Sequence, residues 1–156
     1  MSRLWGLAMT ALLLAPAPAA AELQWQYRTQ QGRPYLQAMP SEPEGDTEFW
    51  ASCRSATAIE VGIGANTTVG EGKGETVSLT LASGGVSATV SGQSRNSANF
   101  QMTVGTELRT TVSRGHALFK VLATGQPITA SGSIKKVTWP VKGLKTKLAA
   151  FLAACK

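Results

Sequence analysis

The sequence predicts a mainly β protein, an antiparallel β-sandwich or open barrel, that ends in one amphipathic α-helix. Sixteen glycines accompany only ten aromatic residues in 156, and this composition favours short strands and tight turns. Apolar and polar residues alternate through most of the chain, which is the period of a half-buried strand. Only the last residues change to helical spacing.

Residues 1–21 have the three parts of a secretory signal peptide. Arg3 precedes an apolar run over Leu4–Ala15, and Ala19-Ala20-Ala21 supplies a small-residue cleavage site before Glu22. The run is shorter than the ~20 residues that span a bilayer. We therefore expect cleavage after Ala21, a single mature domain over 22–156 without a transmembrane segment, and a periplasmic or secreted location.

The mature chain begins with a series of alternating segments that predict strands. The first two, joined by a turn at Gln31-Gly32, form a hairpin whose second strand is of the edge type, because Pro34 cannot donate to a ladder. The clearest predicted hairpin extends from Val77 to Val90 and turns at Ser83-Gly84-Gly85. The predicted strand segments are Leu23–Thr29, Pro34–Met39, Thr47–Arg54, Thr57–Ala65, a hairpin over 76–91, a segment through Phe100, Met102 and Val104, Ala117–Ala123 and Ile134–Val141.

The chain ends in a predicted helix over about 143–155. Its apolar residues recur at helical spacing on one stripe, and alanines between them favour the helix. Such a short helix must dock to be stable, so we expect it to cover one opening of the sheet. The stripe consists of Leu144, Leu148, Phe151, Leu152 and Cys155.

Cys53 and Cys155 are an even pair in a chain with an export signal, so a disulfide is the expected state. It would close a loop of about 100 residues, which the loop-entropy account values at about 4–5 kcal/mol. A nucleophilic or redox thiol is the alternative, but neither a CxxC spacing nor a partner base is visible.

Charge is unevenly distributed. Residues 22–107 contain nine acids and five bases, whereas residues 108–156 contain nine bases and no acid. The bases near the end could form a face for an anionic partner, or the acidic loop 42–48 could neutralise them within the fold. Nucleic acid is not expected, because aromatic residues are not interleaved with the lysines. The candidate basic face consists of Lys135, Lys136, Lys142, Lys145 and Lys147.

Searches for catalytic and metal-binding motifs give weak matches. The glycine-rich segment Gly70–Gly74 lacks the Ser or Thr that follows Gly-Lys in a phosphate loop, so it predicts a mobile hairpin loop. Ser133 and Lys136 match the S-x-x-K spacing without its companion motifs. A hydrolase would have to use His116, the single histidine, or the carboxylates of the acidic loop. One histidine and two paired cysteines do not make a metal site, and no cofactor is expected.

The segment Trp50-Ala51-Ser52-Cys53 and the C-terminal strand, Lys142-Gly143 and helix closing on Cys155 resemble small exported proteins of Gram-negative bacteria. The invasion-associated locus B family is one such group, and accessory proteins of type VI secretion have a similar tail. The resemblance implies a periplasmic, non-enzymatic β-rich domain with a C-terminal helix, and it implies the same cysteine pairing.

The sequence therefore predicts an exported, non-enzymatic β-domain that binds a protein or an anionic envelope polymer. Two alternatives stay open. One is a small exported hydrolase, or an inhibitor of one, that uses His116 or the acidic loop 42–48. The other is a structural component of the envelope.

Overall fold

The computed structural model describes residues 22–41, 46–64, 68–97 and 105–156. They form one antiparallel sheet of nine strands that curls into a nearly closed barrel, with two helices. The strands are β1 (Leu23–Gln30), β2 (Arg33–Pro40), β3 (Phe49–Cys53), β4 (Ala58–Ile63), β5 (Lys73–Ser83), β6 (Val86–Asn96), β7 (Thr106–Ser113), β8 (Ile128–Gly132) and β9 (Val137–Trp139), and the helices are α1 (Ala117–Leu122) and α2 (Leu144–Ala154).

The strands follow the order β1-β2-β3-β4-β7-β6-β5-β8-β9, so β1 and β9 are the two edges of the sheet. The predicted fold class, mainly β with a C-terminal helix, is confirmed. The two predicted hairpins are also present: β1 and β2 pair around Gln31 and Gly32, which both have positive φ, and β5 and β6 pair around Gly84 and Gly85.

The core lies inside the barrel. Alternate side chains of each strand point inward, as the period of two requires, and many of them are fully buried. Three aromatic rings meet near the seam between β1 and β9: the Trp25 and Phe49 centroids are 5.5 Å apart, and the Phe49 and Trp139 centroids are 6.2 Å apart. Buried aromatic rings at these distances stabilise a core beyond their area alone.

Helix α2 closes the seam between the two edge strands. It packs against β1 and β2 and buries Leu144, Leu148 and Phe151, so the predicted amphipathic helix is confirmed. The Trp25 Nε1 donates a 2.8 Å hydrogen bond to the Pro140 carbonyl, which follows β9, and the Lys147 ammonium donates to the Trp25 carbonyl. Side-chain contacts thus join edges that no backbone ladder joins.

Cys53 at the end of β3 forms a disulfide with Cys155, with 5.5 Å between their Cα atoms. The predicted pairing is confirmed, and no cysteine of the described residues is free. Because Cys155 directly follows α2, the bond fastens the end of this helix to the barrel.

Several predicted elements are wrong. Ala117–Ala123 is not a strand: residues 117–122 form α1, whose Leu118, Phe119, Val121 and Leu122 are all buried. A short run that is apolar except for Lys120 fits a buried helix as well as a strand. Here the His116 Nδ1 accepts a 3.1 Å hydrogen bond from the Leu118 amide, which caps the helix.

The C-terminal strands also differ from the prediction. Instead of one strand over Ile134–Val141, the chain forms β8 and then the three-residue β9. Gly132 ends β8 at a φ of 115°, where a Cβ would lie 2.7 Å from the Ser78 carbonyl oxygen. Pro140 ends β9, because it has no amide hydrogen for a ladder.

Strand β7 was not predicted, and the predicted strand through Phe100, Met102 and Val104 lies outside the described residues. The second strand, β2, is not an edge strand, because it pairs with both β1 and β3. Pro34 is tolerated there because the pairing with β3 extends only to Tyr35.

Candidate functional site

A ladder of stacked side chains crosses the outer face of the barrel from β1 to β7. The ring of Tyr35 on β2 stacks on that of Trp50 on β3, with centroids 6.1 Å apart and planes inclined by 11°. The Arg28 guanidinium lies 5.4 Å from the Tyr35 centroid, and the Arg109 guanidinium lies 5.5 Å from the Trp50 centroid. Cation–π contacts of this kind hold both charges in place.

The sheet register places these residues side by side. Trp50 pairs with Gly62 on β4, and Gly62 pairs with Arg109 on β7. A Cβ at position 62 would lie only 2.0 Å from the Trp50 Nε1. The absent side chain of Gly62 therefore lets the indole lie across β4 and reach β7.

A buried carboxylate fixes the far end of the ladder. Glu107 is fully buried, and its Oε2 accepts hydrogen bonds from the Trp50 Nε1 at 2.9 Å and from the Ser97 hydroxyl at 3.1 Å. Its other oxygen accepts from the Arg109 guanidinium at 2.6 and 3.1 Å. Charge-assisted bonds to a buried acid are strong and directional, so Trp50 and Arg109 are held rigidly.

The ladder forms one wall of a shallow groove of about 210 Å³, which we call the arginine groove. Arg33, Arg54 and Arg109 line this groove and are accessible to solvent. The side chains of Arg54 and Arg109 are 48% and 34% exposed. Arg54 forms an ion pair with Glu60, while Arg33 forms no ion pair within the described residues. The lining residues are Gln30, Gln31, Arg33, Tyr35, Trp50, Ser52, Arg54, Glu60 and Arg109.

The chemistry of the arginine groove is that of anion recognition. Its two nearby carboxylates, Glu60 and Glu107, are each paired with an arginine, so Arg33 and the neighbouring Arg28 leave a net positive charge. Guanidinium groups present planar pairs of donors that match carboxylates and phosphates. The one carboxylate in the lining, Glu60, is held by its ion pair with Arg54.

The five lysines of the predicted basic face lie around the start of α2 and between β8 and β9. Lys142 and Lys147 lie at the seam, where the Lys142 ammonium is 3.7 Å from the Glu22 carboxylate and Lys147 bonds to β1. Lys135 and Lys136 are exposed between β8 and β9, and Lys145 is exposed on α2. None of these lysines lines the arginine groove.

The acidic loop 42–48 lies partly outside the described residues. Its last member, Glu48, is turned inward, and its carboxylate accepts a hydrogen bond from the Trp139 Nε1. Burial raises the pKa of Glu48 above its usual value of 4.5, and the bond from Trp139 partly opposes this rise. Glu48 therefore contacts the core of the barrel rather than the lysines.

His116, the candidate general base, serves as the N-cap of α1. Its Nδ1 is occupied by the Leu118 amide, and within the described residues no carboxylate or hydroxyl group bonds to the imidazole. This geometry supplies neither the nucleophile nor the orienting acid that a hydrolytic triad requires.

The glycine-rich segment around Gly70–Gly74 is not a hairpin loop. It leads from β4 to β5, which are not neighbours in the sheet. The Gly72 amide donates a 2.8 Å bond to the Ser94 hydroxyl, and the Glu75 carboxylate accepts from the amides of Glu71 and Lys73. The Glu71 amide contributes most to holding the pKa of Glu75 below its usual value. The loop is thus tied down by its own side chains.

No group of three or more histidine, cysteine, aspartate or glutamate side chains in the described ranges could hold a metal ion. Neither described helix has the length and apolar character needed to cross a membrane. The predicted signal segment 1–21 lies outside the described residues.

Comparisons with protein families, with curated proteins and with solved structures find no match for this chain. The resemblance to the invasion-associated locus B family therefore stays a prediction.

The arginine groove was not predicted from the sequence. One signal for it was present: if Cys53 points inward, alternation along β3 sends Phe49 and Ala51 inward and Trp50 and Ser52 outward. Alternation therefore places a large aromatic ring on the outer face of β3. The arginines that surround it come from four separate segments, and only the register of the sheet brings them together.

Proposed function

We propose that this protein is an exported, non-enzymatic binding domain that holds an anionic component of the cell envelope in the arginine groove. The observation that carries the proposal is the rigid ladder of Arg28, Tyr35, Trp50 and Arg109 above a buried Glu107. A fold that buries a carboxylate to fix an outward tryptophan and an outward arginine has the preorganisation that binding sites require.

The export part of the proposal has two supports. Residues 1–21 have the pattern of a cleaved secretory signal, and the Cys53–Cys155 disulfide suits an oxidising compartment. Mass spectrometry of protein from the exported fraction tests this part. We expect the mass of residues 22–156 less two hydrogens, and a mass that includes the leader or two free thiols would contradict it.

The binding part is tested by retention on envelope material. Purified protein is incubated with washed envelopes from the producing cells, and the bound fraction is measured by sedimentation. Because exposed charges are screened within about 10 Å at 0.1 M salt and about 3 Å at 1 M, we expect retention at the lower concentration and release at the higher. Retention that does not change with salt would refute electrostatic binding in the groove.

A further inference from the structure

The arginines of the outer face form a row that is longer than the groove itself. Arg28 lies on β1 opposite Tyr35 of β2, and Arg109 lies on β7 opposite Gly62 of β4. Between them lie Arg33 on β2 and Arg54 just after β3. Four inter-strand steps of about 4.8 Å separate β1 from β7, so the row extends about 19 Å across the strands.

This row has an excess of positive charge at its β1–β2 end, where Arg28 and Arg33 lie. Glu60 is paired with Arg54 and Glu107 with Arg109, whereas no carboxylate within the described residues pairs with Arg28 or Arg33. Arg28 instead donates to the amide oxygens of Gln30 and Gln37. A compact anion would meet one end of such a row, while an extended polyanion would meet all of it.

Two common ways of binding polymers do not fit this surface. The rings of Tyr35 and Trp50 are each only 7% exposed and carry arginines over their faces, so unstacked bases have no open platform. The strands beneath the groove, β2, β3, β4 and β7, are each paired on both sides. A peptide therefore cannot add there as a further strand.

We propose that the row binds a linear polysaccharide that carries carboxylates along its length, an inference that rests on the proposed function of the groove. Guanidinium groups match carboxylates bidentately. The lining also supplies Gln30, Gln31 and Ser52, whose amides and hydroxyl can both donate to and accept from sugar hydroxyls. This mixture of cations and neutral polar groups suits an acidic sugar polymer.

The test is a series of oligogalacturonates of increasing length, titrated calorimetrically into the full mature protein with its disulfide intact. Affinity should rise with length until the row is covered, and the methyl-esterified oligomers of equal length should not bind. Arg28→Gln, at one end of the row, should weaken binding of the long oligomers by about two- to five-fold. Lys135→Gln, equal in charge change and outside the row, is the control.

Several outcomes would overturn the inference. Equal affinity for galacturonic acid and its long oligomers would indicate a compact anion site. Oligodeoxythymidine or polyglutamate that binds as tightly as the oligogalacturonate of equal charge would indicate another class of polymer. Salt-sensitive retention on envelopes without any oligogalacturonate binding would overturn the polysaccharide assignment alone. Retention on envelopes that does not change with salt would instead refute the proposed function on which this inference rests.

Discussion

Gly62→Ala tests whether the outer ladder is held as the structure describes. The new methyl group would lie 2.0 Å from the Trp50 Nε1 and 2.8 Å from its Cζ2, so the indole must move. Moving it breaks the 2.9 Å bond to Glu107 and separates the ring from Tyr35 and Arg109. A single added carbon thus disturbs the whole ladder.

The expected loss of stability follows from these contacts. A hydrogen bond removed from a buried acceptor costs about 1–3 kcal/mol. The ring stacking and the cation–π contact contribute about 0.5–1.5 kcal/mol each. Because these contacts share one side chain, their losses do not simply add, and we expect Gly62→Ala to lower the free energy of unfolding by about 2–4 kcal/mol.

Urea denaturation followed by far-UV circular dichroism measures this loss. Gly115→Ala is the matched control, since a Cβ there meets nothing within 4 Å and the backbone φ of Gly115 is not positive. The control should stay within about 1 kcal/mol of the parent or be slightly more stable. A Gly62→Ala variant that unfolds at the same midpoint as the control would refute the described position of Trp50.

Three further predictions concern the Cys53–Cys155 disulfide, the seam at Trp25 and the buried Glu48. Replacing both Cys53 and Cys155 with serine should lower the free energy of unfolding by about 4–5 kcal/mol, measured by urea denaturation, and an unchanged midpoint would contradict this. Trp25→Phe removes the bond to the Pro140 carbonyl and should cost about 1–2 kcal/mol, whereas Tyr27→Phe, on the same strand face, should cost less. Since burial raises the pKa of Glu48, the folded protein holds this proton more tightly than the unfolded chain. The stabilisation that protonated Glu48 gives the fold is complete below pH 4.5 and is lost as pH rises through the higher folded pKa. Glu48→Gln should therefore flatten the dependence of the free energy of unfolding on pH above pH 4.5. Identical pH dependences for the parent and the variant would refute burial of the charge.

The fold class could be predicted from the sequence because its signals are local. Alternation in β5 and β6 and the helical stripe of α2 are readable within a dozen residues, and the structure has both. The pairing of Cys53 with Cys155 needed only the export signal and an even count. Each of these features can be recognised from its own residue types.

The elements that were missed depend on distant partners. Strand β7 contains Glu107 and Arg109, and nothing local shows that Glu107 is buried. It is buried because Trp50 crosses Gly62 from two strands away. Helix α1 was predicted as a strand because a six-residue apolar run has no period that separates the two.

The arginine groove could not be predicted from the sequence for a related reason. The five lysines lie close together in sequence, which made them visible as a cluster, whereas the arginines are spread from Arg28 to Arg109. The register of a nine-stranded sheet is set by every strand at once, and a single sequence does not reveal it.

The central claim, that the arginine groove rather than the lysines binds an anionic envelope component, is tested most directly by two charge-matched double variants. Arg33→Gln with Arg54→Gln removes two cations from the groove, and Lys135→Gln with Lys136→Gln removes two from the predicted basic face. Retention on envelopes at low salt should be lost in the arginine pair and kept in the lysine pair. Loss in the lysine pair with full retention in the arginine pair would contradict the account.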